Sequence, residues 1–156
     1  MELISLMRPD FSSFWTAEIS FIIASATRFE RLTHSQALEG GEDAATFASG
    51  MAAMTCLLEC LPNGARVLIP DDCYTGLRML CAEFLPERGI TAVAVDMGDL
   101  DAVRAACAGG IAMLWIETPS NPLMKVSDLA ALAELGHAAG AVVVADNTFA
   151  TPLLQR

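Results

Sequence analysis

Positive charge is scarce in this sequence. Lysine occurs once, at Lys125, and nine Lys and Arg residues face nineteen Asp and Glu, giving a net charge of −10 over 156 residues. A chain of that sign repels nucleic-acid phosphates and anionic lipid headgroups, which argues against nucleic acid and membrane as partners. Tyrosine also occurs once, at Tyr74, and histidine twice, at His34 and His137. The apolar run Phe21–Ala26 is too short to span a bilayer. The start M-E-L-I-S-L-M-R-P-D lacks the basic head and long apolar stretch of a targeting peptide. Nor do the cysteines form the even-numbered framework of a small secreted protein. The five of them (Cys56, Cys60, Cys73, Cys81, Cys107) lie inside apolar segments, which predicts a reducing, cytoplasmic setting.

What is abundant is apolar surface. Hydrophobic residues make up 54% of the chain and charged residues 18%, against roughly a quarter in a typical soluble domain. Disorder is excluded. The length suits one domain of ~100 to 200 residues or a large part of one, and the apolar excess predicts a subunit contact or a further domain.

From about Gly40 onward, short β-rich runs alternate with Ala- and Leu-rich stretches at helical period. That rhythm predicts an α/β fold, a mostly parallel sheet with helices on both faces. Strands are expected over Arg66–Pro70, Thr91–Val95, Ile111–Glu117 and Ala141–Ala145, and helices over Gly50–Leu61, Thr75–Leu85, Leu100–Ala108 and Val126–Ala138. The loops Asp71–Tyr74, Glu117–Pro122 and Asp146–Thr148 then share the carboxyl edge of the sheet, where open parallel sheets place their ligands. The first forty residues do not share this rhythm. Met1–Phe14 reads as irregular and Trp15–Leu38 as a helix with Phe21, Ile22, Phe29 and Leu32 on its apolar face.

Each loop offers chemistry beside an ordinary structural reading. Ser49-Gly50-Met51-Ala52-Ala53 brings small residues to a helix start, where free backbone N–H groups receive an anion or Ser49 simply caps the helix. Ser120-Asn121-Pro122 offers an amide donor or a stiff turn. Asp146 closes the run V-V-V-A and is either a carboxylate at the mouth of a buried strand or a cap for the segment after it. Tyr74 offers a stacking face for a planar ligand or a plain aromatic contact. Cys56 and Cys60, spaced i, i+4 with no completing ligands, read as core packing rather than a metal site, and the two histidines as solvated helix residues.

Taken in order, S-G-M-A-A, D-D-C-Y, E-T-P-S-N-P and A-D-N-T-F resemble the pyridoxal-phosphate-dependent enzymes of cysteine and methionine metabolism, the group of cystathionine γ-synthase, cystathionine lyases and methionine γ-lyase. The resemblance runs from Arg28 to Arg156 and leaves residues 1–27 as a divergent segment. It implies part of the large domain of an aspartate aminotransferase-like, fold type I enzyme with pyridoxal 5'-phosphate as cofactor. It further implies a small amino-acid substrate and a homo-oligomer in the complete form. Carried over residue by residue, Gly50 and Met51 bind the cofactor phosphate through backbone amides, and Tyr74 stacks on the pyridine ring with a catalytic role. Asn121 approaches the ring hydroxyl, Asp146 faces the ring nitrogen and Thr148 neighbours the cofactor. An acid beside that nitrogen keeps it protonated and the ring electron-accepting.

The sequence also departs from the family pattern. The lysine amine that holds the cofactor lies beyond the A-D-N-T-F segment in the family, and Lys125 stands at a variable position. No tyrosine-x-arginine segment or Asn-Pro-Thr turn precedes Arg28. The expected reading is a central fragment of a transsulfuration enzyme, inactive alone. The competing reading is a non-catalytic cofactor-binding or subunit-interaction remnant. A dinucleotide-binding domain fits the layering but not the motifs, since no G-x-G-x-x-G comes after a strand.

Overall fold

The computed structural model describes residues 2–7, 19–23, 41 and 43–155, the first two segments and residues 43–44 by their backbone. Among the described residues three strands come first: β1 (Glu2–Met7), β2 (Ile19–Ile23) and β3 (Asp43–Ala45). The irregular start and the Trp15–Leu38 helix are therefore corrected at these positions. E-L-I-S-L-M and I-S-F-I-I are short apolar runs, the second rich in β-branched isoleucine, and such runs favour an extended backbone once a partner strand is available. His34, Phe29 and Leu32 lie outside the described residues.

The remaining elements keep the expected rhythm: α1 (Gly50–Glu59), β4 (Arg66–Pro70), α2 (Thr75–Met79), β5 (Thr91–Val95) and α3 (Leu100–Cys107). After them come β6 (Met113–Glu117), α4 (Leu129–Ala138), β7 (Val142–Asp146) and α5 (Thr151–Leu154). Side-chain oxygens set the helix starts. Ser49 accepts from Ala52 N, Asp99 from Asp101 N and Ala102 N, and Asp128 from Ala131 N. The single helix expected over Thr75–Leu85 is instead three short pieces. It widens to a π turn over Leu80–Phe84 and tightens to a 3-10 turn over Leu85–Arg88, with Pro86 in its first turn. Gly89, at φ 67°, ends it in the left-handed conformation glycine adopts without strain.

Among the described residues the strands form one sheet in the order β3-β2-β1-β7-β6-β4-β5. The pairs β2–β3, β4–β5, β4–β6 and β6–β7 are parallel, and β1 is antiparallel to both β2 and β7. The amino-terminal strands thus join the sheet and cover the edge of β7, pairing Ile4 with Asp146 and Met7 with Val143. That pairing satisfies backbone groups an open edge would leave free.

Side chains alternate across the sheet into two cores. On one face Val67, Ile69, Met113, Trp115 and Val144 pack with Ala53, Met54, Leu57 and Leu58 of α1. On the other, Leu68, Leu114, Ile116 and Val143 pack with Val103 and Cys107 of α3 and Leu132 of α4. Helices therefore cover both faces, and all five residues of β6 are buried. The chain passes from β4 to β5 on one side, then returns to place β6 on the other side of β4. Strand order reverses at that point, where the loops diverge and leave a crevice.

Candidate functional site

The loops leaving β4, β6 and β7 border a cavity of about 110 Å³ at this reversal. Tyr74, Asn121, Asp146 and Thr148 line it together. The other two expected residues are close but do not line it. Gly50 and Met51 open α1, which reaches the cavity one turn later through Met54. Their amides precede the first intrahelical bond, from Ala53 N to Ser49 O, so they head the helix as the anion reading requires. Met51 still touches the corner of the site, since a side chain added at Gly76 would collide with Met51 Sδ and Tyr74 Cε1. Both the tyrosine ring and the thioether lie against a backbone that only glycine leaves bare.

The β6 loop is laced to the β4 loop. Asp72, buried at 6% exposure, accepts from Ser120 Oγ and from Leu123 N at 3.0 Å. Ser120 Oγ in turn accepts from Lys125 N at 2.9 Å, and Thr118 Oγ1 from Ser127 N at 3.0 Å. Thr118-Pro119 and Asn121-Pro122 are cis. The loop after β7 is tied in by Gln155, whose Nε2 donates to Thr118 O and Asn147 Oδ1, both at 3.1 Å. Asp146 lines the cavity, and its Oδ1 accepts from Thr148 N at 3.0 Å, but it caps no helix, because α5 starts after Ala150 with no side-chain cap. Thr148 Oγ1 is buried without a partner among the described residues. Such a hydroxyl calls for a ligand or water.

Glu117 is the residue that sequence reasoning missed. It ends β6 as Asp146 ends β7, stands in register with Asp146, and is 5% exposed. Its Oε2 accepts from Tyr74 N at 2.9 Å. Burial, foremost, pushes its carboxyl up to about 7, with the Asp146 and Asp72 charges adding to the rise and the amides of Tyr74 and Asn121 opposing it. A signal was present, since M-L-W-I-E closes on a carboxylate just as V-V-V-A-D does. Pro119 and Phe149 also border the cavity, and they carried no such signal.

Residues 25–156 match the family described as Cys/Met metabolism PLP-dependent enzyme. The chain belongs to this family. It is 44% identical over 121 residues to a cystathionine gamma-synthase of Mycobacterium bovis, an alignment covering 77% of this chain and 31% of that protein. A cystathionine beta-lyase of Coxiella burnetii is 43% identical over 120 residues, covering 76% and 31%. Among solved structures, a cystathionine gamma-lyase from Lactobacillus plantarum complexed with L-serine superposes with a TM-score of 0.72 at 38% identity, covering 75% of this chain and 31% of that one. The chain spans about a third of the length of these relatives.

In this member of the family Lys125 points to carboxylates rather than lining the cavity. Its Nζ lies 3.1 and 3.2 Å from the two oxygens of Asp71 and 3.5 Å from Asp96 Oδ2. Asp71 holds its proton affinity above the ordinary lysine range. His137 departs from the solvated reading: it is half-buried on α4, and its Nε2 is shut from water without a partner among the described residues. No helix of the described residues is long and apolar enough to cross a membrane.

Proposed function

We propose that the part of this chain from Arg28 to Arg156 is the cofactor-binding portion of a pyridoxal-phosphate-dependent transsulfuration enzyme, with residues 1–27 as a divergent extension. The observation that carries this reading is the convergence of Tyr74, Asn121, Asp146 and Thr148, from three separate strand ends, on one cavity. The residues present fit the group. An aromatic face, an amide, a carboxylate and an unpartnered buried hydroxyl suit a flat polar ring, and the amides heading α1 suit its phosphate.

When bound, pyridoxal phosphate supplies an electron sink for bonds breaking at the α-carbon of an amino acid. In the proposed roles the amides of Gly50 and Met51 hold the phosphate and Tyr74 stacks on the ring. Asn121 donates to the ring oxygen, Thr148 fills the neighbouring polar position, and Asp146 holds a proton at the ring nitrogen. The reaction class is replacement or elimination of a β- or γ-substituent of a sulfur amino acid or a homoserine ester. The whole enzyme is read as a cytosolic homo-oligomer. This chain alone is read as inactive, because its one lysine is engaged by Asp71 and Asp96.

A second reading, a cofactor-binding or subunit-interaction remnant, draws on the apolar side chains around the same edge. Leu153 and Leu154 are each 83% exposed and Val126 is 74% exposed. Titrating pyridoxal phosphate into the wild type, Tyr74→Ala and Asp146→Asn tests the cofactor site. Tyr74→Ala should weaken binding roughly 3- to 10-fold by removing the ring contact. Asp146→Asn should weaken it about 10-fold or more by removing a charge-assisted bond. Equal affinities in all three proteins would overturn the reading.

A further inference from the structure

We infer that Glu117 is a positioning residue of this site, its carboxyl joining the backbone of Tyr74 to that of Asn121 and so fixing the two walls between which the cofactor ring lies. The inference rests on the cofactor reading above. Tyr74 precedes the first turn of α2 with φ −50° and ψ 131°, and its N–H has no acceptor within the helix. Glu117 Oε2 supplies one at 2.9 Å, across 43 residues of chain. Asn121 stands four residues further along the same loop, and its backbone amide acts on that carboxyl to lower its proton affinity. A carboxylate offers about four acceptor positions, so two amides leave capacity on the side that faces the cavity.

The surroundings of that carboxyl are acidic. Asp146 stands beside it on β7, Asp72 and the Cys73 thiol face it from the β4 loop with Arg78 beyond Cys73, and α1 presents apolar Met54. Two carboxyls, 5% and 6% exposed on adjacent strands, disfavour double ionisation. The Asp146 charge thus adds to the burial that raises the proton affinity of Glu117, whose carboxyl is pushed up to about 7. A strut that merely held the loops together would not carry this dependence on pH.

Two measurements on the full chain test the inference. In a ¹⁵N-labelled sample titrated across neutral pH, the amide resonances of Tyr74 and Asn121 should move together with one midpoint near 7. Both movements should vanish in Glu117→Gln, which keeps the shape and an acceptor oxygen. Separate midpoints, or movements that persist in Glu117→Gln, would overturn the clamp. In the second measurement, pyridoxal phosphate affinity should fall about 10-fold or more in Glu117→Ala, and Glu117→Gln should lose the part of the pH dependence centred near 7 while keeping that of the ligand phosphate. Unchanged affinity in both variants, with Tyr74→Ala still weakening the wild type, would sink the inference and leave the cofactor reading intact. Insensitivity to Tyr74→Ala would sink the cofactor reading instead, and the amide titration would still decide whether Glu117 joins the two walls.

Discussion

Lys125 Nζ sits between the two carboxylate oxygens of Asp71, at 3.1 and 3.2 Å, on the outer side of the loop that borders the cavity. The contact engages the one primary amine among the side chains of this sequence. Borohydride reduction in the presence of pyridoxal phosphate should therefore leave the peptide bearing Lys125 unlabelled, and Lys125→Ala should bind the cofactor with wild-type affinity. Peptide mapping by mass spectrometry checks the first outcome and equilibrium titration the second. A labelled Lys125 would make it a displaced catalytic amine.

Stability should fall as pH rises through the range set by Glu117. Its carboxyl titrates at about 7 in the folded chain against 4.5 ordinarily, so between those values the folded state holds a proton that the unfolded state has lost. The favourable contribution is complete below about 4.5 and lost above about 7, a swing on the order of 3 kcal/mol. Thermal melts at pH 5 and pH 8 should show this fall in the wild type and a much smaller one in Glu117→Gln.

Gly76→Ala should damage the site more than the fold. The new methyl collides with Tyr74 Cε1 and Met51 Sδ, both movable side-chain atoms, so the ring swings away at modest cost. We expect a stability loss near the low end of the ~1 to 3 kcal/mol typical of overpacking. The loss of cofactor affinity should be comparable to that of Tyr74→Ala. Paired melts and titrations separate the two effects.

At Gly136 the opposite balance should hold. This glycine lies on α4, where a methyl would meet Val143 Cγ2 at 2.5 Å and Leu114 Cδ2 at 3.1 Å on the sheet beneath. Alanine ordinarily gains about 0.5 to 1 kcal/mol over glycine inside a helix. Overpacking against two fully buried side chains should exceed that gain and leave Gly136→Ala net destabilised by about 1 to 2 kcal/mol. Denaturant unfolding measures the difference, and a more stable variant would show that α4 can lift off the sheet.

The central strands and helices were legible because their cause is local. Runs such as R-V-L-I-P and V-V-V-A-D carry β-branched bulk and end at polar loops, and Ser49, Asp99 and Asp128 mark helix starts by their own side chains. Strands β1 and β2 were not legible. β1 is extended against β7, about 140 residues away, and β2 against β1 and β3, and nothing near either segment announces those partners. Four of the six expected cofactor contacts share a cavity because each sits at the end of a strand whose own pattern is clear. Glu117 escaped because its weight comes from register, beside Asp146 and beneath Tyr74, and register is a property of two strands rather than of one.

The reversal of strand order between β4 and β6 also spreads the pocket over three strands. Tyr74 follows β4, Asn121 follows β6, and Asp146 and Thr148 come with β7, so no single strand pairing assembles all of them. Each pairing closes a long loop before its contacts reward it, which makes such sheets slow to fold. The pocket is complete only when all three strands are paired. A ligand that needs all its walls draws population from that state alone, stabilising it by about 2.7 kcal/mol at a hundred times its dissociation constant. Contacts that form after the transition state slow unfolding and leave the folding rate untouched, so a ligand bound only to the complete pocket should lengthen the lifetime of the folded chain.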